Sequence, residues 1–119
     1  MKDLIKIYEE AKEVEFKRRT GTGYVLTDSL TGKKYKQNDN FFLCGGIGIM
    51  WFCTTPMNRK LRKVLEAEGY SVGRRYNRGL SVSFGYENGK FEIGCEAIGK
   101  VVDYLNSFGY EVYPETVID

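Results

Sequence analysis

The sequence predicts an α+β fold, in which a single domain combines a mainly antiparallel sheet with about three helices. An uncharged run at residues 41–53 has an aromatic or aliphatic side chain at almost every non-glycine position. Three other segments repeat apolar residues at the three-and-four spacing of one buried helix face, and glycine follows each of them. Shorter segments between the helices alternate apolar and polar residues, which is typical of strands.

The length and composition favour one domain with its own core. The chain has 119 residues, of which 42% are hydrophobic, so residues 1–119 are expected to fold together. Residues 1–10 mix charged and apolar side chains, unlike a signal peptide, and the run at 41–53 is shorter than the ~20 apolar residues of a membrane span. The sequence therefore predicts a cytoplasmic protein with no membrane partner.

The composition argues against most catalytic and metal sites. The chain has no histidine, which removes Ser-His-Asp and Cys-His arrangements and the commonest general base. Cys44, Cys53 and Cys95 lack Cys-x-x-Cys spacing and lie in apolar surroundings, so buried, reduced thiols are expected. We expect no metal, no cofactor and no catalytic residue. Paired carboxylates such as Glu87 and Glu92 are the remaining enzyme hypothesis, and their spacing does not favour it.

Residues 1–40 are predicted to form a helix and then a hairpin. Asp3 can cap the helix. The buried helix face would contain Leu4, Ile7, Tyr8, Ala11 and Val14. The helix must end at Gly21-Thr22-Gly23, a turn without the third glycine of a dinucleotide-binding fingerprint. Residues 24–27 and 34–36 would be the hairpin strands, joined by a polar loop.

The apolar run at 41–53 is interpreted as buried β-structure, since its three glycines argue against a helix. It would be either one bent strand or a hairpin that turns at Gly45-Gly46 or near Gly48. Because both of its faces are apolar, the run forms core, part of a dimer or partner interface, or a glycine loop for a ligand.

The rest of the chain predicts alternating helices and strands. A helix from Thr55 and Pro56 to Gly69 would bury Met57, Leu61, Val64 and Leu65, and extended structure at 70–76 and a turn at 77–79 would follow it. A strand at 80–86, with Leu80, Val82 and Phe84 on one side, would lead through a hairpin turn at Asn88-Gly89 into a return strand at 91–94. A helix at 96–108 would bury Ala97, Val101, Leu105 and Phe108, and a final strand would lie at 110–113.

Two helix ends, at residues 65–72 and 105–112, resemble each other at an offset of forty residues. Extending this offset backwards aligns Trp51 with Phe91 and preserves much of the apolar pattern. The alignment predicts two ββαβ halves, at 41–79 and 81–119. Chance similarity between generic helix-to-strand exits is the alternative.

The charges are segregated along the chain. Residues 56–80 contain seven basic and two acidic side chains, whereas residues 81–119 contain two basic and seven acidic ones. The candidate ligand-binding residues all lie in the basic segment. They are Arg59, Arg62 and Lys63 on the predicted helix, and Arg74, Arg75, Tyr76, Asn77 and Arg78 on the following hairpin. Arginines offer forked donors to phosphate, and tyrosine offers a stacking surface for a base. A solvated hairpin tip and a docking site for an acidic protein are the alternatives.

The sequence thus predicts a non-enzymatic protein that binds nucleic acid or a nucleotide through the Arg-rich hairpin and the basic helix face. The alternative is a protein-interaction or inhibitor module, in which the basic segment contacts the acidic segment of a second copy or an acidic partner. A homodimer is expected in that case, and the sheet face opposite the helices is the expected recognition or dimer surface.

Overall fold

The computed structural model describes residues 1–21, 25–27, 34–36 and 43–119. The helices and strands among these residues are α1 (Leu4–Gly21), β1 (Val25–Thr27), β2 (Lys34–Lys36), β3 (Gly45–Phe52), α2 (Pro56–Ala67), β4 (Gly73–Arg75), β5 (Gly79–Glu87), α3 (Phe91–Asn106) and β6 (Val112–Ile118). The predicted α+β class, with about three helices and a mainly antiparallel sheet, is confirmed.

Four strands form one sheet in the order β4-β5-β3-β6, and β1 pairs with β2 in a separate antiparallel hairpin. Every neighbouring pair in the larger sheet is antiparallel. Consequently β3 and β4 run in the same direction with β5 between them, and β5 and β6 run in the same direction with β3 between them. Two interleaved β-α-β units of this kind form the split β-α-β, or ferredoxin-like, topology. Proteins of many functions share it, so the topology alone indicates no function.

The two faces of this sheet have different surroundings. Ile47, Ile49 and Trp51 alternate along β3, are at most 2% exposed, and share one core with residues from all three helices. The intervening residues lie on the opposite side, which we call the open face because the helices pack on the other side. The open face consists of Gly73 and Arg75 on β4, Gly79, Ser81, Ser83 and Tyr86 on β5, Gly46, Gly48, Met50 and Phe52 on β3, and Tyr113, Glu115 and Val117 on β6.

The start of α1 is attached to the chain segment that follows α2. The backbone amide of Ile5 donates to Asp3 Oδ1 at 3.0 Å, so the predicted Asp3 cap is confirmed. The hydroxyl of Tyr70 accepts from the amide of Leu4 at 2.9 Å and donates to Asp3 Oδ1 at 2.9 Å. Burial and the contact with Asp3 raise the pKa of Tyr70. Tyr70 therefore stabilises the first turn of α1 from a distant position in the sequence.

The ends of α2 agree with the sequence prediction. Thr55 Oγ1 accepts from the amide of Asn58 at 3.1 Å, and Gly69 has the positive φ of +94° that suits a glycine after a helix. The side chain of Asn58, which is 1% exposed, donates to the carbonyls of Phe52 at 2.8 Å and Glu111 at 3.0 Å. It also accepts from the amide of Glu111 at 2.9 Å. Asn58 thus joins α2 to the end of β3 and the start of β6.

The predicted hairpin at Asn88-Gly89 and the return strand at 91–94 are wrong, because α3 begins at Phe91. The apolar residues of 91–94 continue into the buried helix face that contains Ala97 and Val101, so the longer helical period overrides the short strand-like alternation. Gly89, with φ of +75°, directs the chain into α3, and its amide donates to Cys44 Sγ at 3.2 Å.

A β-bulge shifts the register of β5 against β3. Ile47 pairs with Gly85 and Gly48 pairs with Ser83, so Phe84 is an extra residue on β5. Gly85 has a φ of +123°, which a side chain would disfavour. Without the bulge, the alternation of β5 would put Glu87 on the open face. With it, Glu87 lies on the helix side.

The apolar run at 41–53 forms one strand, not a hairpin, within its described part. The strand β3 is irregular only at the bulge, and its inward residues form core. Met50 and Phe52 are half-buried on the open face, and Leu43 is 40% exposed. Residues 41 and 42 lie outside the described residues. The single-strand interpretation is thus confirmed for residues 45–52, and the hairpin interpretation is wrong.

Some apolar residues predicted to be buried are exposed. Val14, Met57 and Phe108 are 67%, 37% and 48% exposed. Met57 lies in the first turn of α2, Phe108 lies two residues after the end of α3, and Val14 lines a groove between α1 and α3. The three cysteines are free but half-buried, not fully buried as predicted. None of the described helices is long and apolar enough to cross a membrane.

The aligned helix ends have equivalent structures. Leu65 and Leu105 are both fully buried, and Gly69 and Gly109 have φ of +94° and +96°. Further upstream the ungapped alignment is wrong, because Trp51 lies in a strand and Phe91 in the first turn of a helix. Each half therefore contains a β-α-β unit instead of the predicted ββαβ unit. The helix predicted to end at Gly21 does so, and the turn residues 22 and 23 and the hairpin loop lie outside the described residues.

Candidate functional site

Residues 74–79, which we call the arginine turn, join β4 to β5 at one end of the sheet. The amide of Gly79 donates to the carbonyl of Tyr76 at 3.0 Å, and Asn77 and Arg78 both have left-handed φ angles, of 56° and 62°. Such angles are uncommon for an arginine, so the surrounding contacts must hold this backbone. A Cβ at position 79 would lie 2.9 Å from the Tyr76 carbonyl oxygen, which explains the glycine.

The guanidinium of Arg75 forms an ion pair with Glu115. It donates from Nε to Glu115 Oε2 at 3.1 Å and from Nη2 to Glu115 Oε1 at 2.9 Å. Since β4 and β6 are the two edges of the sheet, this forked ion pair spans the open face. It helps to cover Ser81, which is 4% exposed. The hydrogen bonds to Glu115 raise the pKa of Arg75. Arg75, one of the predicted phosphate ligands, is therefore already paired within the protein.

The other side chains of the arginine turn are exposed. Tyr76 is 92% exposed, and no ion pair involves Arg74 or Arg78 within the described part of the chain. Arg74 pairs in register with the buried Leu80 and so lies on the helix side of the edge strand, opposite to Arg75. The turn therefore presents two unpaired guanidiniums and one solvated ring, together with the exposed amide side chain of Asn77.

The basic residues of α2 divide into a paired and an unpaired set. Arg62 donates from Nε to Glu66 Oε1 at 2.9 Å. Arg59 and Lys63, one helical turn apart on the exposed side, have no ion pair with another described residue, and the same holds for Lys60. Among the described residues, no hydrogen bond or ion pair joins this helix surface to the arginine turn.

Sequence reasoning missed an aromatic pair beside the arginine turn. The rings of Phe52 and Tyr113 lie 6.5 Å apart on the open face, at an angle of 58°. Phe52 pairs in register with Gly79, and its ring would lie 3.5 Å from a Cβ at that position. Tyr113 is 50% exposed. The alternation of side chains along the apolar run could have indicated this, because Phe52 follows the buried Trp51 and so lies on the opposite face of the strand.

The opposite end of the open face is acidic. Tyr86 pairs with Gly46, six residues along β3 from Phe52, and donates from its hydroxyl to Asp119 Oδ2 at 2.6 Å. This hydrogen bond raises the pKa of Tyr86 to about 12. Val117, next to it on β6, is 63% exposed. The open face thus has a basic, aromatic end at the arginine turn and an acidic end at Asp119.

The carboxylates of the enzyme hypothesis have structural partners. Glu87 Oε1 accepts from the Tyr8 hydroxyl at 2.8 Å and from Lys12 Nζ at 2.6 Å, whereas Glu92 pairs with Arg19 at 3.2 Å. Burial raises the pKa of Tyr8, and Glu87 adds to the effect. Burial lowers the pKa of Lys12, but hydrogen bonds to Glu87 and Glu9 outweigh this effect. The pKa of Lys12 is therefore raised. The contacts of Glu87 attach α1 to the end of β5, and the Arg19–Glu92 pair attaches α1 to the start of α3.

Glu87 lines a groove of about 430 Å³, and the lining otherwise contains both lysines and glutamates of α1. No described cluster of cysteine and carboxylate side chains has the composition of a metal site. The mixed charges of this groove differ from the basic surface predicted to bind phosphate at the hairpin.

Comparison of the chain with protein families, with curated protein sequences and with solved structures finds no match.

Proposed function

We propose that this protein binds a phosphate-bearing ligand, either nucleic acid or a nucleotide, at the arginine turn and does not catalyse a reaction on it. The observation that carries the proposal is the exposed ring of Tyr76 between two arginines that have no ion pair among the described residues. A ring that is 92% exposed contributes nothing to the core, whereas it can stack on a base while guanidiniums contact phosphates. A nucleic-acid ligand also agrees with the cytoplasmic location expected from the sequence.

The backbone of the turn supports this proposal. The hydrogen bond between the Gly79 amide and the Tyr76 carbonyl and the two left-handed residues define a single turn geometry. The amide of Cys53 also donates to the carbonyl of Arg78 at 3.4 Å, which connects the turn to the end of β3. A preformed turn loses less conformational entropy when a ligand binds. The exposed Arg59 and Lys63 on α2 would contribute long-range attraction to a polyanion.

A double variant of the turn tests the proposal. We expect Arg74→Gln with Arg78→Gln to weaken the binding of a fluorescein-labelled 20-nucleotide DNA by at least about tenfold at low salt, because two charge-assisted hydrogen bonds are lost. Fluorescence anisotropy measures the affinity.

Arg62→Gln is the matched control for that experiment. It removes an arginine from the same basic segment whose side chain is 41% exposed and already paired with Glu66. We expect it to change the affinity less than about twofold. Equal losses in the control and in the double variant would mean that net charge, and not the turn, determines binding, and would contradict the proposal.

A protein-interaction module is the second candidate function, and the edge strand β6 favours it. Tyr113, Val117 and Ile118 are 50%, 63% and 61% exposed, although they belong to a regular strand. Within the described residues, β6 has a sheet partner on one side alone. Pro114 lacks an amide, so it removes one donor from the free edge. A dimeric mass in light scattering that becomes monomeric with Val117→Glu is the expected result for this candidate.

A further inference from the structure

We propose that the ligand is single-stranded nucleic acid, and that one of its bases stacks on the aromatic pair of Phe52 and Tyr113 at the arginine-turn end of the open face. This inference rests on the proposed function and names the ligand class of the same site.

The aromatic pair is continuous with the arginine turn. Phe52 lies opposite Gly79, the last residue of the turn, and the Phe52 ring would touch a side chain placed there. Tyr113 extends the aromatic surface from β3 onto β6, with 6.5 Å between the ring centres. A strand of nucleic acid that places a phosphate on Arg78 would therefore have rings next to it on the sheet, whereas Arg74 lies on the helix side.

The position of the pair on a sheet determines what it can contact. Among the neighbouring residues on this face, Gly48, Ser81 and Ser83 are small, whereas the half-buried Met50 is in register with Tyr113. Tyr113 is half exposed, so its ring is accessible from above the sheet. In a duplex, both faces of each base are covered by neighbouring base pairs. A ring on a flat sheet can stack only on a base that is unpaired and unstacked, which is how single strands are bound.

The charges of the open face limit the path of the strand. The Arg75–Glu115 ion pair borders the aromatic pair, since Arg75 is in register with Gly79 beside Phe52 and Glu115 lies two residues from Tyr113 on the same face. Asp119 lies at the far end beside Tyr86 and has no ion pair with another described residue, so its carboxylate repels phosphates. Tyr86 is 55% exposed on the same face, but its surroundings are acidic. The ligand is thus restricted to the turn end, and Tyr86 does not contribute a stacking surface.

The test compares a 12-nucleotide single strand with the duplex of the same sequence, by fluorescence anisotropy at one fixed low salt concentration. We expect the single strand to bind at least about tenfold more tightly. Tyr113→Leu should weaken single-strand binding by about fivefold or more, as loss of stacking on one base does, and should leave duplex binding unchanged. Tyr113→Phe, which keeps the ring, should retain the affinity and shows that the site tolerates substitution.

Tyr86→Leu is the control, since it removes an equally exposed tyrosine from the acidic end of the same face. We expect it to leave single-strand affinity within about twofold of the unmodified protein. Equal affinity for strand and duplex, or equal losses in Tyr113→Leu and Tyr86→Leu, would overturn the stacking inference while leaving phosphate binding at the turn intact. Absence of binding to both forms and to a fluorescent nucleoside triphosphate would overturn the proposed function itself.

Discussion

Adjacent residues of the arginine turn differ in role because the strand alternates. Arg75 lies on the open face and is held by Glu115, whereas Arg74 lies on the helix side and has no ion pair with a described residue. Alternation along an extended strand places adjacent residues on opposite faces, so these arginines do not all converge. The sequence could not predict Glu115 as the partner, since that residue is forty positions away and reaches Arg75 only through the strand order.

The ion pair predicts a gain of binding. Glu115→Gln should release Arg75 as an additional phosphate ligand and raise the affinity for single-stranded DNA on the order of fivefold at low salt. Because Arg75 is about half exposed and solvent screens its charge, the free energy of unfolding should fall by about 1 kcal/mol or less. Anisotropy titration and urea unfolding measure the two quantities.

Glu111→Gln is the control for this prediction. It removes the same charge from the start of β6, but no ion pair involves the Glu111 side chain within the described part of the chain. An increase in affinity equal to that of Glu115→Gln would show that the lost negative charge, and not the released Arg75, is responsible.

At the scale of elements, the sequence was most informative where the local signals agree. The helix α2 has a capping threonine, a proline at its first position, a buried face and a terminating glycine, and it lies where these signals predicted. The start of α3 was mispredicted because Asn88-Gly89 and the alternation of 91–94 imitate a hairpin. The bulge at Phe84 has a local signal in Gly85, but the resulting shift of Glu87 to the helix side depends on the pairing with β3.

Two glycines of α3 provide a test of how closely it packs. A Cβ at Gly94 would lie 2.9 Å from Ile47 Cγ1 and from the Tyr8 hydroxyl, whereas a Cβ at Gly99 would meet nothing within 4 Å. We expect Gly94→Ala to destabilise the protein by about 1–3 kcal/mol through overpacking. Gly99→Ala should stabilise it by up to about 1 kcal/mol, because alanine is the better helix former.

Urea unfolding of both variants measures these changes in free energy. A stabilising Gly94→Ala would mean that Ile47 and Tyr8 pack less closely against α3 than described, and would contradict their close approach as the reason for glycine at this position.

At the scale of the whole molecule, the sheet separates two chemical surfaces. The basic segment forms α2, β4 and the turn, and the acidic segment supplies β6, so the linear segregation of charge becomes a difference between opposite edges of one sheet. The sequence predicted the segregation and the open face. It could not predict that Phe52 and Tyr113 meet beside the turn, because their contact requires β6 to lie next to β3.

The salt dependence of single-strand binding tests the central claim most directly. Phosphate contacts release counterions, so log Kd should rise linearly with the logarithm of the salt concentration, with a slope of about 0.7 for each contact made with a single strand. Two arginines in the turn, with added attraction from α2, predict a slope of about 1.5 to 3. An anisotropy titration between about 25 and 200 mM salt measures this slope, because the screening of exposed charges increases strongly over that range. No binding at the lowest salt, or an affinity independent of salt, would contradict the account.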